Sequence, residues 1–232
     1  MANTFFITGT DGGVGKTIVT VGLLQAFAAR NMSALAMKPV AINCQHTRDG
    51  LRSFDVELLQ NNMALPLAYE QVNPYPLESN LPPHISAQEA GIRIDRQHVL
   101  DLYQSMRTQA DVVLVEGTGG WKVPLDSQTT VEDLAVLLDI PVILVVGVQK
   151  GCINHALLTY EAILRAGVVP AGWVANIIQR DVATTPRIIN AIQQVIHTPL
   201  VGIIPPFKEM MPRRVADFLE VDFLLGNTPA QG

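Results

Sequence analysis

The sequence predicts a single α/β domain whose mainly parallel β-sheet carries helices on both faces, and three observations support this. Short runs rich in β-branched residues alternate with stretches of helical period, which is the pattern of βα units. The short runs are almost continuously apolar, as strands buried on both faces should be. The chain has 232 residues, 48% of them hydrophobic, so we expect residues 1–232 to form one domain around one sizeable core.

The individual elements follow from the same two patterns. The apolar runs predict strands over 4–7, 34–37, 112–115, 142–146, 173–177 and 200–204. Apolar residues at helical spacing predict helices over 16–30, 54–61, 95–108, 131–138, 155–166, 186–197 and 215–224. The stretch 64–83 contains five prolines, which block helix continuation and central-strand pairing. Because apolar residues are interleaved throughout it, we expect an ordered surface excursion over the site.

Composition and charge narrow the class of ligand. A formal net charge of −5, with no block of basic residues, argues against nucleic acid or an anionic membrane surface as the main partner. Cys44 and Cys152 are too few for a disulfide framework and lack metal-site spacing. No signal peptide precedes Phe5, and no apolar run approaches membrane-spanning length. The sequence therefore predicts a cytoplasmic protein with small-molecule ligands.

A glycine-rich segment, G-T-D-G-G-V-G-K-T at residues 9–17, joins the first predicted strand to the first predicted helix. Backbone N–H groups of such a loop converge on an anion, and the helix N-terminus adds partial positive charge. Lys16 is placed to reach the outer phosphates of a nucleoside triphosphate, and the Thr17 hydroxyl to bind Mg²⁺. Five residues separate Gly9 from Gly15 where the usual pattern has four, and G-G-V-G-K-T is similar to the loop of the ParA, MinD and nitrogenase-iron-protein group. The chain is expected to bind a nucleoside triphosphate.

Charged side chains also follow two further strands, at the edge where open parallel sheets bind their ligands. Glu116 ends an apolar run in the place of a Walker-B type carboxylate, and a buried carboxylate needs a partner such as Mg²⁺ held jointly with Thr17. Lys38 follows the second strand, where a compact cation could neutralise phosphate or carbamate oxygens. Asp55 starts a predicted helix, so a helix-terminal charge and a metal ligand stand as equal alternatives.

Short motifs extend the pattern from the first strand to about residue 206. They are G-T-D (9–11), V-G-K-T (14–17), K-P-V (38–40), D-G-L-R-S-F-D (49–55), V-N-P-Y (72–75), P-H-I-S-A-Q-E (83–89), V-E-G-T-G-G-W (115–121), P-V-I-L-V-V-G (141–147), G-C-I-N-H-A-L-L-T (151–159) and A-G-W-V-A-N (171–176). A phosphate loop alone fits dozens of families. The ordered set resembles one of them, the dethiobiotin synthetases, ATP-dependent enzymes that close the ureido ring in biotin synthesis.

The resemblance implies which residues bind ATP and Mg²⁺. Thr17, Asp55 and Glu116 would hold Mg²⁺. The triphosphate would be wrapped by Gly13, Val14, Gly15, Lys16, Thr17 and Ile18, with Gly117, Thr118 and Gly119 also in the nucleotide site. The adenine would be held by Asn176 and Ile177 together with Pro205, Pro206 and Phe207.

The resemblance also implies a reaction and a substrate site. An amine of 7,8-diaminopelargonic acid captures CO₂, from CO₂ or bicarbonate, and the resulting carbamate, flanked by the catalytic residues Lys16 and Lys38, attacks the γ-phosphorus of ATP. The second amine then closes the ring and releases phosphate. The substrate carboxylate would bind backbone N–H groups of Gly151, Cys152, Ile153 and Asn154 at the interface of a homodimer, because a helix N-terminus is an anion site.

Three positions depart from the pattern of the family. Gly12 stands where the family loop has a Thr facing the substrate amine, and Ile42 stands where a Ser touches the substrate. Ile188 takes the place of a Tyr that faces the neighbouring subunit's substrate. These changes leave the phosphate and metal site intact and make the diamine site less polar.

Two other functions share the phosphate loop. A ParA- or MinD-like ATPase switch carries a Lys near the start of its loop, and Asp11 stands there in this chain, an acid where the switch needs a cation. A cobyrinate or cobyrate synthetase domain shares the activation chemistry but needs a glutaminase domain with a nucleophilic Cys. Neither the length of the chain nor its two cysteines leave room for that domain.

Overall fold

A computed structural model describes residues 2–179, 184–207 and 212–226. The strands in these ranges are β1 (Asn3–Gly9), β2 (Ala34–Met37), β3 (Val40–Ala41), β4 (Gln45–Thr47), β5 (Gly50–Arg52), β6 (Tyr75–Pro76), β7 (Val112–Glu116), β8 (Val142–Val148), β9 (Pro170–Ile177) and β10 (Leu200–Ile204). The helices are α1 (Lys16–Ala28), α2 (Phe54–Gln60), α3 (Tyr69–Val72), α4 (Pro83–Glu89), α5 (Arg96–Arg107), α6 (Val131–Leu138), α7 (Cys152–Arg165), α8 (Thr185–Gln193), α9 (Pro212–Ala216) and α10 (Asp222–Gly226).

Six strands form one parallel sheet in the order β10-β9-β8-β1-β7-β2. Its central strands β1, β7 and β8 are buried almost throughout, which explains why their sequences are continuously apolar. Ile7 of β1 lies opposite Glu116 of β7, and Gly9 lies opposite Val145 of β8. The carboxyl ends of these strands therefore meet at one edge, directly below the glycine-rich loop.

Helices cover both faces of the sheet. Phe5 and Ile7 point into a core shared with α1 and with Val215, Leu219 and Leu224 near the end of the chain. Phe6, on the same strand, points into the opposite core, which α5, α6, α7 and α8 help to form. The alternation of side chains along β1 thus feeds two layers. The predicted α/β class, a mainly parallel sheet with helices on both faces, is confirmed.

The predicted elements differ from the observed ones mainly at their ends. Helix α7 begins three residues earlier than expected, at Cys152, because Gly151 adopts a left-handed conformation with φ 87° and ends the preceding turn. The prediction of one continuous helix over 215–224 is wrong. There α9 and α10 are separate, because Leu219 forms a β-bridge with Gly202 and the Glu220 N–H donates to the Val201 carbonyl at 2.8 Å.

The proline-containing stretch 64–83 holds the short helix α3 and the two-residue strand β6, neither of which was predicted. Strand β6 pairs with β3, which begins at Val40, shortly after β2 ends at Met37. The Lys38 N–H donates to the Val72 carbonyl at 2.9 Å. This stretch therefore supports the main chain that carries Lys38. No helix among the described residues is long and apolar enough to cross a membrane.

Candidate nucleotide and metal site

The glycine-rich loop lies between the end of β1 and the start of α1. Gly13 and Gly15 have φ of 69° and 88°, the left-handed region that favours glycine. At Gly15 a Cβ atom would also lie 2.2 Å from Nδ2 of Asn176, so a larger residue there would have to displace the Asn176 amide. Helix α1 has no side-chain cap and no acidic residue in its first turn, which leaves its N–H groups available. The loop therefore has the geometry of an anion cradle.

Lys16 crosses this loop. Its Nζ donates to the carbonyl of Asp11 at 3.0 Å, and the residue is only 7% exposed. Burial disfavours the ammonium and lowers the pKa of Lys16 to about 8, although the charge of nearby Glu116 acts in the opposite direction. Lys16 forms no ion pair with the described residues, and an anion in the loop would supply one.

Three oxygen-bearing side chains meet beside the loop. Glu116, at the end of β7, is completely buried, and its Oε1 accepts a hydrogen bond of 2.7 Å from the Thr17 hydroxyl. Asp55 lies in the first turn of α2 and forms an ion pair with Lys38. The Lys38 ammonium also lies 2.9 Å from Glu116 Oε1 and 3.4 Å from Thr17 Oγ1. The predicted metal ligands Thr17, Asp55 and Glu116 thus share one cation, Lys38.

The charge of Lys38 is set by two opposing effects. Burial disfavours its ammonium, but Glu116 and Asp55 outweigh burial and raise the pKa of Lys38 above its usual value. Lys38 is therefore a cation at neutral pH, and it supplies the counter-charge that a fully buried Glu116 requires.

The same oxygens suit Mg²⁺. A hydroxyl and two carboxylates are hard ligands of the kind that Mg²⁺ prefers, and the space between them already accommodates a cationic group. In the described part of the chain no three His, Cys, Asp or Glu side chains cluster as a metal site. A site with two carboxylates fits Mg²⁺, which keeps several waters and also binds substrate phosphates.

A hydrogen-bond chain holds Lys38 and Asp55 in register. The Asn73 side-chain amide donates to the Lys38 carbonyl at 2.7 Å, and its Oδ1 accepts from the Tyr69 hydroxyl at 3.2 Å. The Tyr69 oxygen accepts from the N–H of Ser53, the residue that precedes α2, at 2.7 Å. Burial raises the pKa of Tyr69 to about 12, so its hydroxyl keeps its proton at neutral pH. The sequence alone indicates no role for Tyr69, and it marks Asn73 only as part of the V-N-P-Y motif at 72–75.

The expected adenine residues lie at the neighbouring strand ends. Asn176 of β9 donates from Nδ2 to the Val14 carbonyl at 2.9 Å, which ties β9 to the glycine-rich loop. Ile204 of β10 pairs with Asn176, so Pro205, Pro206 and Phe207 continue from the same edge, and Ile177 follows Asn176. The rings of Phe207 and Phe218 are 5.9 Å apart. The structure therefore brings the two predicted parts of the adenine site together.

The turn after β7 also contacts the loop. The Gly117 N–H donates to the Ile7 carbonyl at 2.9 Å, Thr118 is buried, and Gly119 has φ 66°. A Cβ at the next residue, Gly120, would lie 3.6 Å from the Gly9 carbonyl oxygen, so this turn packs against the start of the glycine-rich loop.

The expected substrate residues are more dispersed. Gly12 is exposed, its N–H donates to Asp11 Oδ1 at 2.7 Å, and a Cβ there would meet open space. Ile42 and Ile188 are half-buried and pack against the core. At the end of β8, Gly151 precedes α7, with Cys152 buried and Ile153 and Asn154 exposed. Among the described contacts, no hydrogen bond or ion pair joins this turn to the Lys38 cluster.

Solved structures share the fold. MinD of Pyrococcus horikoshii complexed with Mg-ADP superposes with a TM-score of 0.57 at 17% identity, covering 96% of this chain and 89% of that one. A chain of the MinC:MinD cell division protein complex of Aquifex aeolicus gives a TM-score of 0.62 at 17% identity, covering 100% of this chain and 98% of that one. At this identity the likeness concerns the fold of P-loop nucleotide-binding proteins and not their function.

Sequence relatives are far closer. A family model described as an AAA domain matches residues 3–214. The ATP-dependent dethiobiotin synthetase BioD of Cellvibrio japonicus is 47% identical over 201 residues, 87% of this chain and 88% of that protein. The BioD protein of Marinobacter nauticus is 40% identical over 231 residues, 97% of this chain and 99% of that protein. The chain belongs to the ATP-dependent dethiobiotin synthetase family.

Proposed function

We propose that the chain is a dethiobiotin synthase that uses ATP and Mg²⁺ to carboxylate 7,8-diaminopelargonic acid and close its ureido ring. Its main support is the convergence of Lys16, Lys38, Thr17, Asp55 and Glu116 at one sheet edge, in a chain whose relatives carry that enzyme's name. Both lysines are nearly buried, where a charge acts on a reacting group with little screening by water.

The residues of the site divide the work of phosphoryl transfer. N–H groups of residues 13–18 and the Lys16 ammonium would bind the triphosphate, and Asn176 with the 205–207 segment would hold the adenine. Thr17, Asp55 and Glu116 would hold Mg²⁺, which supplies charge compensation at the phosphate oxygens when it is bound. Gly117, Thr118 and Gly119 would line the loop from the β7 side.

Lys38 has the role closest to the chemistry. In the proposed reaction an amine of the substrate forms a carbamate with CO₂, a carbamate oxygen displaces ADP from the γ-phosphorus, and the second amine expels phosphate as the ring closes. Negative charge on the carbamate and on the transferred phosphoryl group would develop between Lys16 and Lys38, whose ammonium groups stabilise it. No protein nucleophile is required. When another cation binds the carboxylates of Asp55 and Glu116, which Lys38 now neutralises, the Lys38 ammonium would turn toward the carbamate and phosphoryl oxygens.

We further propose that the protein acts as a cytoplasmic homodimer of one-domain subunits. The substrate carboxylate would bind N–H groups at the start of α7, those of Gly151 before the helix and of Cys152, Ile153 and Asn154 in its first turn, beside the neighbouring subunit. Gly12 and Ile42 would face the diamine with fewer polar groups than the family pattern provides.

Phosphate release followed by ³¹P spectroscopy tests the proposed function. We expect ATP to yield ADP and phosphate only when diaminopelargonate and bicarbonate are both present, with one dethiobiotin formed per phosphate. Omitting either compound is the control. Phosphate release that is independent of both compounds would contradict the proposal and favour an ATPase switch of the MinD type.

A further inference from the structure

Glu116 is completely buried, so each of its carboxylate oxygens needs a partner within the protein. Oε1 faces the site, where it contacts the Thr17 hydroxyl at 2.7 Å and the Lys38 ammonium at 2.9 Å. Oε2 accepts a hydrogen bond of 2.8 Å from the hydroxyl of Thr20. The two oxygens of one carboxylate thus have different partners, Thr17 and Lys38 for Oε1 and Thr20 for Oε2.

Thr20 is itself completely buried, one turn after Thr17 on α1. Its hydroxyl has one hydrogen and two acceptors within reach, Glu116 Oε2 at 2.8 Å and the Lys16 carbonyl at 3.0 Å. The carboxylate is the stronger acceptor because the hydrogen bond to it is charge-assisted. The hydrogen of Thr20 therefore belongs to Glu116.

We infer that Thr20 is a positioning residue for metal binding: by holding Oε2 of Glu116, it keeps Oε1 directed at Thr17 and the metal. This inference rests on the proposed function, because it takes Glu116 as a metal ligand. Without the Thr20 hydroxyl, Oε2 would lose its described donor, and the carboxylate would turn to share Thr17 and Lys38 between its two oxygens. Residues that hold a ligand in this way typically change metal affinity by about 10-fold to 100-fold when they are mutated.

The Thr20→Val substitution tests the inference because valine keeps the shape of threonine and removes only the hydroxyl. We expect the dissociation constant for Mn²⁺, measured by electron paramagnetic resonance with saturating ADP, to rise about 10-fold. Thr20→Ser, which keeps the hydroxyl, should stay within about threefold of the unmodified protein. ADP affinity measured without metal should be the same in all three proteins, because Thr20 lies outside residues 9–17 and its side chain is completely buried.

Thr8→Val is the matched control. Thr8, on strand β1, is buried like Thr20. Its side chain lies on the same face of the sheet as that of Phe6, in the core opposite α1, and its hydroxyl has no partner among the described residues. The same change of one hydroxyl to one methyl should leave Mn²⁺ affinity unchanged there. If Thr20→Val fails to fold, Thr20→Ala and Thr20→Ser make the same comparison, since they differ by one oxygen atom.

Unchanged Mn²⁺ affinity in Thr20→Val, or equal losses in the serine and alanine variants, would overturn the inference. Failure of the unmodified protein to bind Mn²⁺ with ADP would overturn both this inference and the proposed metal site. A protein that binds Mn²⁺ and ADP but forms no dethiobiotin would overturn the proposed function alone, and the variants would still decide the role of Thr20.

Discussion

Lys38 lies among the three oxygen-bearing side chains that we assign to the metal, and this placement has consequences for affinity as well as for catalysis. Its ammonium neutralises Asp55 and Glu116 as long as no other cation is bound. A metal ion at these oxygens would compete with Lys38, so removal of the ammonium should not weaken metal binding. Lys38 should matter for the reaction and little for binding.

Lys38→Gln tests this separation. We expect the affinity for Mg-ATP to stay within about tenfold, or about 1.4 kcal/mol, while kcat falls far more, because only stabilisation specific to the transition state accelerates the reaction. Calorimetric titration with nucleotide beside steady-state dethiobiotin formation measures both. Lys122→Gln is the control, since Lys122 is an exposed lysine paired with Glu132. Equal small losses in binding and turnover would make Lys38 a merely structural charge.

The lowered pKa of Lys16 leads us to expect that both the stability of the fold and nucleotide binding depend on pH. Its pKa is lowered by burial to about 8, from an ordinary value of 10.5. Between pH 8 and pH 10.5 Lys16 keeps its proton in the unfolded chain and has lost it in the folded protein. Lys16 therefore makes the free energy of unfolding rise with pH over this range. Below pH 8 both states are protonated and this pH dependence vanishes.

Phosphates bound in the loop should return the proton to Lys16. ADP binding at pH 9 is therefore expected to take up protons, whereas binding at pH 7 should not. Calorimetry in two buffers with different ionisation enthalpies measures the uptake. Lys16→Arg, whose side chain stays charged at both pH values, should show none. Equal uptake in the arginine variant would assign the proton to another group.

Among the elements, the short helix α3 and Asn73, the residue that follows it, stabilise the site through hydrogen bonds to the main chain. Tyr69 and Asn73 join the Lys38 carbonyl to the Ser53 N–H at the start of α2, the helix that carries Asp55. One series of hydrogen bonds thus connects the main chain at Lys38 to the main chain at the start of the helix that carries Asp55.

Tyr69→Phe removes the middle of that chain. We expect a loss of about 1–3 kcal/mol in unfolding free energy, because the buried Ser53 N–H loses its acceptor, together with a clear fall in kcat. Tyr75→Phe is a close match, since the Tyr75 oxygen accepts from the Asp95 N–H at 2.9 Å at the start of α5. That variant should lose stability and keep turnover. Thermal unfolding and steady-state kinetics of both variants measure the difference, and equal turnover in the two would contradict the positioning role.

For the whole molecule, we propose that a second subunit completes the substrate site. Helix α7, whose first turn is the predicted carboxylate-binding site, carries the exposed apolar side chains Ile153, Leu158 and Leu164. A two-fold interface formed by this helix would bury them, and isologous dimers are the commonest symmetric assembly.

Light scattering at micromolar concentration should therefore give twice the chain mass of 25.2 kDa. Leu158→Glu should shift the protein toward monomer and weaken substrate binding, whereas Val136→Glu, an equally apolar exposed position on α6, should change neither. Full activity in a monomer would exclude a substrate site shared between subunits.

The sequence alone was sufficient for the sheet and the phosphate loop. Strands buried on both faces must be apolar throughout, so their positions appear directly in the chain, and residues 9–17 form the loop because neighbours in sequence build it. The end of each strand then marked Lys38, Glu116 and Asn176, since parallel strands finish at a common edge. For Asp55 the residues alone left a helix-terminal charge and a metal ligand as equal alternatives, and the family resemblance favoured the metal ligand.

Tertiary structure decided what depends on contacts between distant segments. Leu219 pairs with Gly202 and interrupts the helix that local periodicity predicts, because the hydrogen bonds offered by β10 are not visible in the segment itself. Thr20 meets Glu116 across 96 residues, and Asn73 meets Lys38 across 35. A hydroxyl on an apolar helix and an amide after a short helix have no local signature of such roles. The strand ends were predictable because burial acts on each segment separately, whereas the hydrogen bonds that orient the site exist only after the segments have packed together.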